Sequence, residues 1–190
     1  MTIIIGICGK KFHGKDTIAD HYIKKYGFTK ISLGDSLKYA MKDIFGFTDE
    51  QLWGNQKETT DTYWNATPRD IMQYIGTDLL REQFGKKYPH IGESLWIMSL
   101  RRQIDNLIAR GISKIIVPDL RFPNEEKMIR SFNGKIIRVI RDSLTSTDTH
   151  ISENSSEQIH ADYTVHNYVL DKLYVDCDVI YNEIIMEKLV

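Results

Sequence analysis

The sequence predicts an α/β fold in which helices cover both faces of a parallel sheet. Three short runs of mostly β-branched residues, at 3–8, 115–117 and 136–140, are largely continuous in their apolar character rather than alternating. Such runs are typical of parallel strands that are buried on both faces. Helical patterns separate them, and strands that alternate with helices favour βαβ crossovers. Weaker strand candidates lie at 29–33 and 163–165.

Apolar stripes at helical spacing predict the main helices. The first follows Gly14 and stops at Gly27, since glycine favours the left-handed turn at a helix C-terminus. The second covers roughly 93–110, just before the second strand run, and the third occupies 170–184. These helices supply the crossovers that a parallel sheet requires.

Length and composition limit the class of protein. A chain of 190 residues can bury a sizeable core, so we predict a single domain over residues 1–190. The formal net charge is −1, and acidic and basic residues are mixed along the chain. No long basic tract is therefore available to bind nucleic acid or an anionic membrane. Cys8 and Cys177 lack metal-ligand spacing, which is typical of core thiols in a reducing cytosol. The first apolar run is too short to span a membrane, and no signal-peptide pattern follows it. The predicted location is therefore the cytoplasm, with neither nucleic acid nor a membrane as partner.

Two polar stretches interrupt the alternation of strands and helices. The first, at about 48–89, is a polar loop followed by a helix that begins near Pro68, a residue favoured at the first helical position. The second, at about 141–157, is rich in Ser, Thr and Asp. Loops of this length in a compact domain are usually functional or disordered. We interpret the first as an acceptor-binding insertion and the second as a lid.

The strongest motif is the string GKKFHGKDT at residues 9–17, between the first strand and the first helix. It has the pattern of a phosphate-binding P-loop. Gly9 and Gly14 let the backbone wrap around phosphate oxygens, the helix N-terminus offers N–H groups, and Lys15 supplies an ammonium group for the β and γ phosphates. The loop therefore predicts nucleotide binding. The alternative is a glycine turn that holds no ligand.

One position departs from the P-loop pattern. Asp16 stands where a Ser or Thr hydroxyl normally meets Mg²⁺. A carboxylate is also a hard oxygen ligand, and its charge is favourable at a helix N-terminus, so metal binding can survive the exchange. Thr17 could supply a hydroxyl group instead, and which of the two residues contacts the metal stays open.

A second candidate site follows the strand at 115–117. Residues at the carboxyl end of a parallel strand face the ligand crevice of an open α/β sheet. Asp119 is therefore predicted to act on magnesium or its water shell, and Arg121 to stabilise the phosphoryl group during transfer. The alternative is that the pair caps the next helix, which has Glu125 in its first turn.

The helix near Pro68 predicts an acceptor site. Arg69, Gln73 and Thr77 recur every four residues, which aligns a cation, an amide and a hydroxyl along one helix face. A guanidinium group suits the phosphate of an acceptor, and an amide can read a base edge. A merely solvated face would look the same. Trp96 fits core packing or base stacking.

Four segments together resemble the deoxynucleoside monophosphate kinases of tailed bacteriophages. They are GKDT at 14–17, MQYIGTD at 72–78, VPDLR at 117–121 and DTHISE at 148–153. The resemblance spans nearly the whole chain, and four motifs in one order are more specific than any single motif. It implies an adenylate-kinase-like P-loop fold that phosphorylates deoxynucleoside monophosphates, with ATP as donor and Mg²⁺ as cofactor. The insertion before the second segment is shorter than in longer family members, which leaves base selectivity open.

The resemblance also implies roles for individual residues. The phosphate and metal residues are Lys15, Asp16 and Thr17. The acceptor contacts are Arg69, Gly76, Thr77, Trp96 and, on a looser match, Lys38. The strand-end site is Asp119, Arg121 and Glu125. Apart from the resemblance, Arg141 at the start of the predicted lid is expected to contact the donor nucleotide.

Three rival functions remain at this stage. An animal-type phosphomevalonate kinase has a similar Gly-Lys-Asp loop, but the strings at 76–78 and 150–153 favour a nucleotide acceptor. A P-loop module that binds nucleotide without transferring phosphate would lack the strand-end groups. A kinase for nucleic-acid 5′ ends would need a basic groove, which the near-neutral composition does not favour. Ribose preference and oligomeric state, a homodimer included, stay open.

Overall fold

The computed structural model describes residues 1–91, 95–141 and 155–189. The chain divides into two compact units, which we call the sheet unit (Met1–Ser32 and Arg101–Val190) and the helical unit (Leu33–Leu100). The prediction of a single domain with an insertion and a lid stays a prediction. Most of the predicted lid, 142–154, lies outside the described residues, and so does the string at 148–153.

The sheet unit contains a fully parallel five-stranded sheet. The strands are β1 (Ile3–Cys8), β2 (Thr29–Lys30), β3 (Lys114–Leu120), β4 (Lys135–Ile140) and β5 (Tyr163–His166). Their spatial order is β2-β3-β1-β4-β5, and each neighbouring pair is parallel. The predicted strands are confirmed, although β2 is shorter than the run at 29–33.

Eight α-helices are described along the chain. They are α1 (Lys15–Tyr26), α2 (Asp35–Phe45), α3 (Asp49–Leu52), α4 (Pro68–Gln73), α5 (Phe84–Lys87), α6 (Leu95–Ala109), α7 (Pro123–Ser131) and α8 (Leu170–Glu187). A 3₁₀ turn occupies Gln56–Glu58, and a π-helix occupies Tyr74–Gln83. As predicted, α1 ends at Gly27, whose φ of 72° is the left-handed conformation that glycine adopts readily.

The two faces of β1 pack against different helices. Ile3, Ile5 and Ile7 share one buried cluster with residues of α1 and α8. Gly6 faces the other side, where an added Cβ would lie 3.4 Å from Ile129 of α7. Because every residue of β1 is buried, the strand reads as a continuous apolar run. The predicted arrangement, with helices on both faces of the sheet, is confirmed.

A bulge in β3 places Asp119 within the strand, whereas the sequence analysis placed it after the strand. Val117 pairs with Gly6 and Leu120 pairs with Cys8, so β3 has one residue more than β1 over this stretch. Pro118 lies in this bulge. Proline has no backbone N–H group to donate, and a bulge is a place where the hydrogen bonds between two strands are interrupted. The strand therefore runs through Asp119 to Leu120 instead of ending at Val117.

A half-buried carboxylate joins α8 to α1. Asp178 accepts hydrogen bonds from Tyr26 Oη at 2.6 Å and Lys25 Nζ at 2.5 Å, and its Oδ1 lies 2.7 Å from His21 Nε2. Partial burial alone would raise the pKa of Asp178, but these three partners lower it from its ordinary value of 3.8 to about 2. The ionised carboxylate therefore stabilises the folded state.

We expect Asp178→Asn to lower the free energy of unfolding at pH 7 by about 2 kcal/mol. The pKa of Asp178 is lower in the folded than in the unfolded chain, so its contribution is complete above about pH 4 and is lost as the pH falls towards 2. Urea denaturation from pH 7 to pH 2 measures both effects. Asp176→Asn is the control, because Asp176 pairs with the exposed Lys172 one helical turn away. A difference between Asp178→Asn and wild type that stays constant down to pH 2 would contradict the assignment.

The helical unit has a small apolar core of its own. Met41, Phe47 and Leu52 are its buried members, and Ile71, Met72 and Ile75 pack against them. The predicted start of the acceptor helix is confirmed: Pro68 is its first residue, and the Thr67 side chain accepts a hydrogen bond from the backbone N–H of Asp70 at 3.1 Å. The pattern did not predict the change to π-helical hydrogen bonding at Tyr74.

Among the described residues, no helix combines the length and apolar character that crossing a bilayer requires. Cys8 and Cys177 are buried free thiols, as predicted. Burial raises the pKa of the Cys8 thiol, and it raises that of Cys177 to about 12, so both remain neutral in the core.

Candidate active site

The loop at 9–17 connects β1 to α1 and requires glycine at two positions. Gly9 has a φ of 146°, and a Cβ there would lie 2.5 Å from the backbone oxygen of Val139. Gly14 has a φ of 106°, and a Cβ there would lie 2.4 Å from Nδ2 of Asn167. Both backbone conformations and both close approaches exclude a larger residue. The predicted glycines therefore have a definite structural reason.

Lys15 folds back over this loop from the first turn of α1. Its Nζ donates to the backbone oxygens of Gly9 at 2.6 Å and of Lys10 at 2.8 Å. The ammonium group thus lies at the mouth of the loop, where phosphate oxygens would compete with the two carbonyls. The phosphate-binding role that the motif gives to Lys15 stays a prediction.

Two residues that sequence reasoning did not select, Asn167 after β5 and His13 within the loop, connect the loop to neighbouring strands. Asn167 follows β5 and donates from Nδ2 to the backbone oxygen of His13 at 2.9 Å. The buried His13 ring lies 3.3 Å from the backbone oxygen of Val139, and its Nδ1 lies 3.3 Å from the backbone nitrogen of Arg141. The carboxyl ends of parallel strands meet at one edge, so a polar residue just after β5 was the available signal.

Asp16, the departure from the P-loop pattern, is an exposed residue with an ion-pair partner. Its side chain is 78% exposed, and Oδ1 lies 2.7 Å from Nζ of Lys30 at the end of β2. Thr17, the alternative metal contact, is half-buried. Within residues 1–91, 95–141 and 155–189, no three His, Cys, Asp or Glu side chains cluster to form a complete metal cage.

The strand-end residues lie beside the start of α7. The buried Glu125 carboxylate accepts hydrogen bonds from the backbone N–H groups of Arg121 at 2.6 Å and Phe122 at 3.1 Å. Glu125 thus closes the N-terminus of α7 and fixes the backbone from which the exposed Arg121 side chain extends. Asp119 is half-buried, directly before this turn. Capping and a functional role are compatible here, because the cap that Glu125 forms uses the backbone N–H groups of Arg121 and Phe122.

Only the two ends of the predicted lid are described. Arg141, at its start, is exposed, and its backbone contacts His13 of the loop. Glu157, at its end, pairs with Lys10 of the loop at 2.8 Å, and this ion pair lowers the pKa of Glu157. Both ends of the predicted lid therefore contact the loop at 9–17.

The helical unit holds the predicted acceptor residues. Arg69 pairs through Nε with Oε1 of Glu58 at 3.0 Å, and its side chain is 39% exposed. Gln73 and Thr77 are exposed. These three residues keep polar groups accessible to a ligand, which an ordinary solvated face would also do.

Gly76 and Trp96 contact each other. Trp96 Nε1 donates to the backbone oxygen of Gly76 at 3.1 Å, and a Cβ on Gly76 would lie 2.8 Å from Cδ2 of Leu37. The absence of a side chain at Gly76 therefore lets α2 and the indole ring approach the π-helix closely. Trp96 is half-buried, so packing explains part of its position.

Lys38 is held by two residues that sequence reasoning did not select. Its Nζ lies 3.8 Å from Oδ1 of Asp35 and 5.4 Å from the centre of the Trp53 ring. Trp53 also donates from Nε1 to Oδ1 of Asp35 at 3.0 Å. These contacts restrict the ammonium group, and the side chain of Lys38 is only 22% exposed.

We expect Trp96→Phe to lower the free energy of unfolding by about 1 kcal/mol, because the Gly76 carbonyl loses its hydrogen bond. Denaturation followed by circular dichroism measures the change. Trp64→Phe is the matched comparison: it removes the bond from Nε1 to the backbone oxygen of Phe45, but Trp64 is 40% exposed, so water can replace it. Equal losses in the two variants would mean that the Gly76 contact has no special value.

Comparison with known proteins identifies the family. The profile described as "Deoxynucleotide monophosphate kinase" matches residues 48–176. A protein of Acanthamoeba polyphaga mimivirus, provisionally named deoxynucleotide monophosphate kinase, is 37% identical over 155 residues, which are 80% of each chain. The chain belongs to the deoxynucleotide monophosphate kinase family. It is therefore a phosphotransferase, as the four motifs predicted.

A second member of the family shows how the chain compares in length. Deoxynucleotide monophosphate kinase of Enterobacteria phage T4 is 32% identical over 127 residues. The match covers 61% of this chain but 48% of the phage protein, so this kinase chain aligns with about half of that relative. The phage relationship that the motifs implied is confirmed.

Solved structures show the fold of this kinase independently of its sequence. TT1252 from Thermus thermophilus superposes with a TM-score of 0.52 at 15% identity, covering 98% of this chain and 97% of that one. Dephospho-CoA kinase from Campylobacter jejuni gives 0.50 at 17% identity, covering 95% and 96%. The predicted α/β/α fold of the P-loop, nucleoside-monophosphate-kinase type is confirmed.

Proposed function

We propose that this kinase transfers the γ-phosphoryl group of ATP to the phosphate of a deoxynucleoside monophosphate and releases the diphosphate, with Mg²⁺ as cofactor. The observation that carries the proposal is the loop at 9–17, with Lys15 at its mouth, in a chain of the deoxynucleotide monophosphate kinase family. The rival acceptor, phosphomevalonate, has no comparable support.

The donor side of the proposal rests on the loop. Gly9 and Gly14 allow the positive φ angles and the close contacts with Val139 and Asn167 that shape the loop, and its backbone N–H groups would bind phosphate oxygens. Lys15 would exchange its two carbonyl partners for the β and γ phosphates, and Thr17 would donate a hydroxyl. Arg141 lies at the loop through its backbone contact with His13, which supports the prediction that it binds the donor nucleotide.

The residues of the loop also fit Mg²⁺. This ion usually binds one or two carboxylates, substrate phosphates and waters instead of a complete protein cage. Asp16 supplies an accessible carboxylate beside Thr17, while Asp119 supplies a second one at the end of β3. We propose that Asp16 is the direct ligand and that Asp119 orders the water shell. When bound, the metal neutralises charge on the phosphates.

Transfer itself needs no protein nucleophile. We propose direct in-line displacement, in which Lys15 holds the donor phosphates and the Arg121 guanidinium neutralises charge on the moving phosphoryl group. Glu125 was predicted as a substrate contact, but its carboxylate is engaged by backbone N–H groups. We therefore propose that it acts through the backbone by holding Arg121 in place.

The acceptor side rests on residues of the helical unit. We propose that Arg69 and Lys38 bind the phosphate of the acceptor, since both carry positive charge and part of each side chain remains accessible. Gln73 and Thr77 would then bind the base and sugar by hydrogen bonds. Gly76 and Trp96 shape this surface, with one indole face as a stacking platform.

An acceptor panel tests the function directly. Purified enzyme with ATP and Mg²⁺ is given dGMP, dTMP, dCMP, dAMP, the matching ribonucleotides or phosphomevalonate, and the diphosphate product is measured by chromatography. We expect turnover with one or more deoxynucleoside monophosphates. Turnover with phosphomevalonate alone would contradict the proposal. Binding of ATP and deoxynucleotides without any product would identify a nucleotide-binding module instead.

The reactants also suggest where the enzyme works. ATP and deoxynucleoside monophosphates are small intracellular metabolites, so we expect the reaction in the cytoplasm, and in the host cytoplasm if the chain is viral. No nucleic acid or membrane partner is required for the proposed chemistry. A homodimer stays a prediction.

A further inference from the structure

We infer that Lys30 is a positioning residue of the donor site, because its ammonium group neutralises and holds the Asp16 carboxylate so that the loop can receive a polyphosphate. The inference rests on the proposed function for the identity of that ligand. Lys30 belongs to no motif in the sequence, and β2, with two residues, comes from one of the two weaker strand candidates.

The topology of the sheet brings the two residues together. Lys30 is the last residue of β2, which pairs in parallel with β3 at Ile116. All five strands run in one direction, so the end of β2 lies at the same edge as the loop that follows β1. Nζ of Lys30 reaches Oδ1 of Asp16 at 2.7 Å, although 14 positions separate the residues along the chain.

The contact between Lys30 and Asp16 matters because of the charges that the two side chains carry. A neutral hydroxyl usually stands at the position of Asp16, so this loop carries one extra negative charge where a polyphosphate anion would bind. Two like charges a few ångströms apart repel appreciably near a protein surface. The positive charge of Lys30 cancels the extra charge of Asp16, and its hydrogen bond directs the carboxylate to the β2 side of α1.

The pair is poorly placed to act as a stabilising element. The side chains of Lys30 and Asp16 are 35% and 78% exposed, and exposed ion pairs contribute little to folding free energy. Variants of either residue should therefore fold normally. This makes a change in ligand binding easy to separate from a change in stability, which is checked by thermal unfolding of each variant.

The test is a calorimetric titration of ATP in the presence of EDTA, so that no metal contributes charge. We expect Lys30→Met to raise the Kd of metal-free ATP about five- to tenfold, while Lys30→Arg stays within about twofold of wild type. Lys24→Met removes an equal charge from the exposed end of α1 and serves as the control, with no change expected. An unchanged Kd in Lys30→Met would overturn the inference.

Repeating the titration in an Asp16→Asn variant shows whether Lys30 acts by positioning Asp16 or by attracting phosphate directly. In Asp16→Asn there is no carboxylate to neutralise, so adding Lys30→Met should change the Kd of ATP less than about twofold. The same loss in both backgrounds would mean that Lys30 attracts phosphate independently of Asp16, and the inference would be wrong. With Mg²⁺ in excess, the loss in Lys30→Met alone should shrink, because the cation then neutralises the carboxylate.

These outcomes are independent of the acceptor panel. If wild type bound ATP with the expected dependence on Lys30 and Asp16 but phosphorylated no deoxynucleotide, the proposed function would fail and the inference would stand. If it phosphorylated deoxynucleotides but Lys30→Met bound ATP normally, the inference alone would fail.

Discussion

Lys15→Ala is expected to lower kcat for phosphoryl transfer by about 10²–10³, the usual cost of removing one preorganised charge-stabilising donor. In the wild type, the Lys15 ammonium group lies 2.6 Å and 2.8 Å from two loop carbonyls, at the proposed site of the donor phosphates. The substitution removes this group, so the donor phosphates lose a positively charged contact. Steady-state kinetics with saturating ATP and deoxynucleotide measure the change.

The effect on stability should be much smaller. Lys15 is only half-buried, and its hydrogen bonds to Gly9 and Lys10 can be replaced by water, so we expect a loss of about 1 kcal/mol in the free energy of unfolding. Lys24→Ala, on the exposed end of the same helix, is the control and should leave kcat unchanged. Wild-type turnover in Lys15→Ala would refute the role assigned to the loop.

Arg121→Ala is expected to lower kcat by about 10³–10⁵, the range observed when an arginine that stabilises a transferring phosphoryl group is removed. The side chain is exposed, and Glu125 accepts a hydrogen bond from the backbone N–H of Arg121, which alanine keeps, so the substitution preserves this bond of the α7 cap. The unfolding transition should therefore stay close to that of wild type, and the Kd of ATP should change far less than kcat.

Comparison with another exposed arginine shows whether the loss of kcat in Arg121→Ala is specific. Arg102 is also exposed and lies on α6, so Arg102→Ala removes the same charge from the sheet unit without touching the strand end. Similar losses of kcat in the two variants would point to a general effect of net charge. Glu125→Gln should lower kcat less than Arg121→Ala, since a neutral amide oxygen can still accept the two backbone hydrogen bonds.

The parts of the fold that follow local rules could be predicted. The strand at 3–8 is buried on both faces and therefore appears as a continuous apolar run, while the run at 136–140 is apolar except for the half-buried Arg138. The acceptor helix begins at Pro68, because proline is favoured there and Thr67 caps it. The glycines of the loop were predicted from their motif, and their positive φ angles give the reason.

Other features had no local signal. The extension of β3 through Pro118 depends on the register of β1, and the bulge that permits it exists only in the paired sheet. The π-helix from Tyr74 coincides with close packing around Gly76, which a repeat of apolar residues does not reveal. Residues four positions apart lie on nearly the same face of an α-helix and of a π-helix. A four-residue repeat in the sequence therefore could not distinguish the two kinds of helix.

The sequence by itself determined the loop at 9–17, the class of fold and, through four motifs, the kinase family, because each depends on residues close together in the chain. The tertiary structure alone decided the partners of the loop residues. Asn167 contacts His13, and Lys30 contacts Asp16, only because a parallel sheet gathers the carboxyl ends of distant strands at one edge. Motifs identify which charged and polar groups are present. How the charges of the loop are neutralised depends on distances between residues of different strands, which no local pattern encodes.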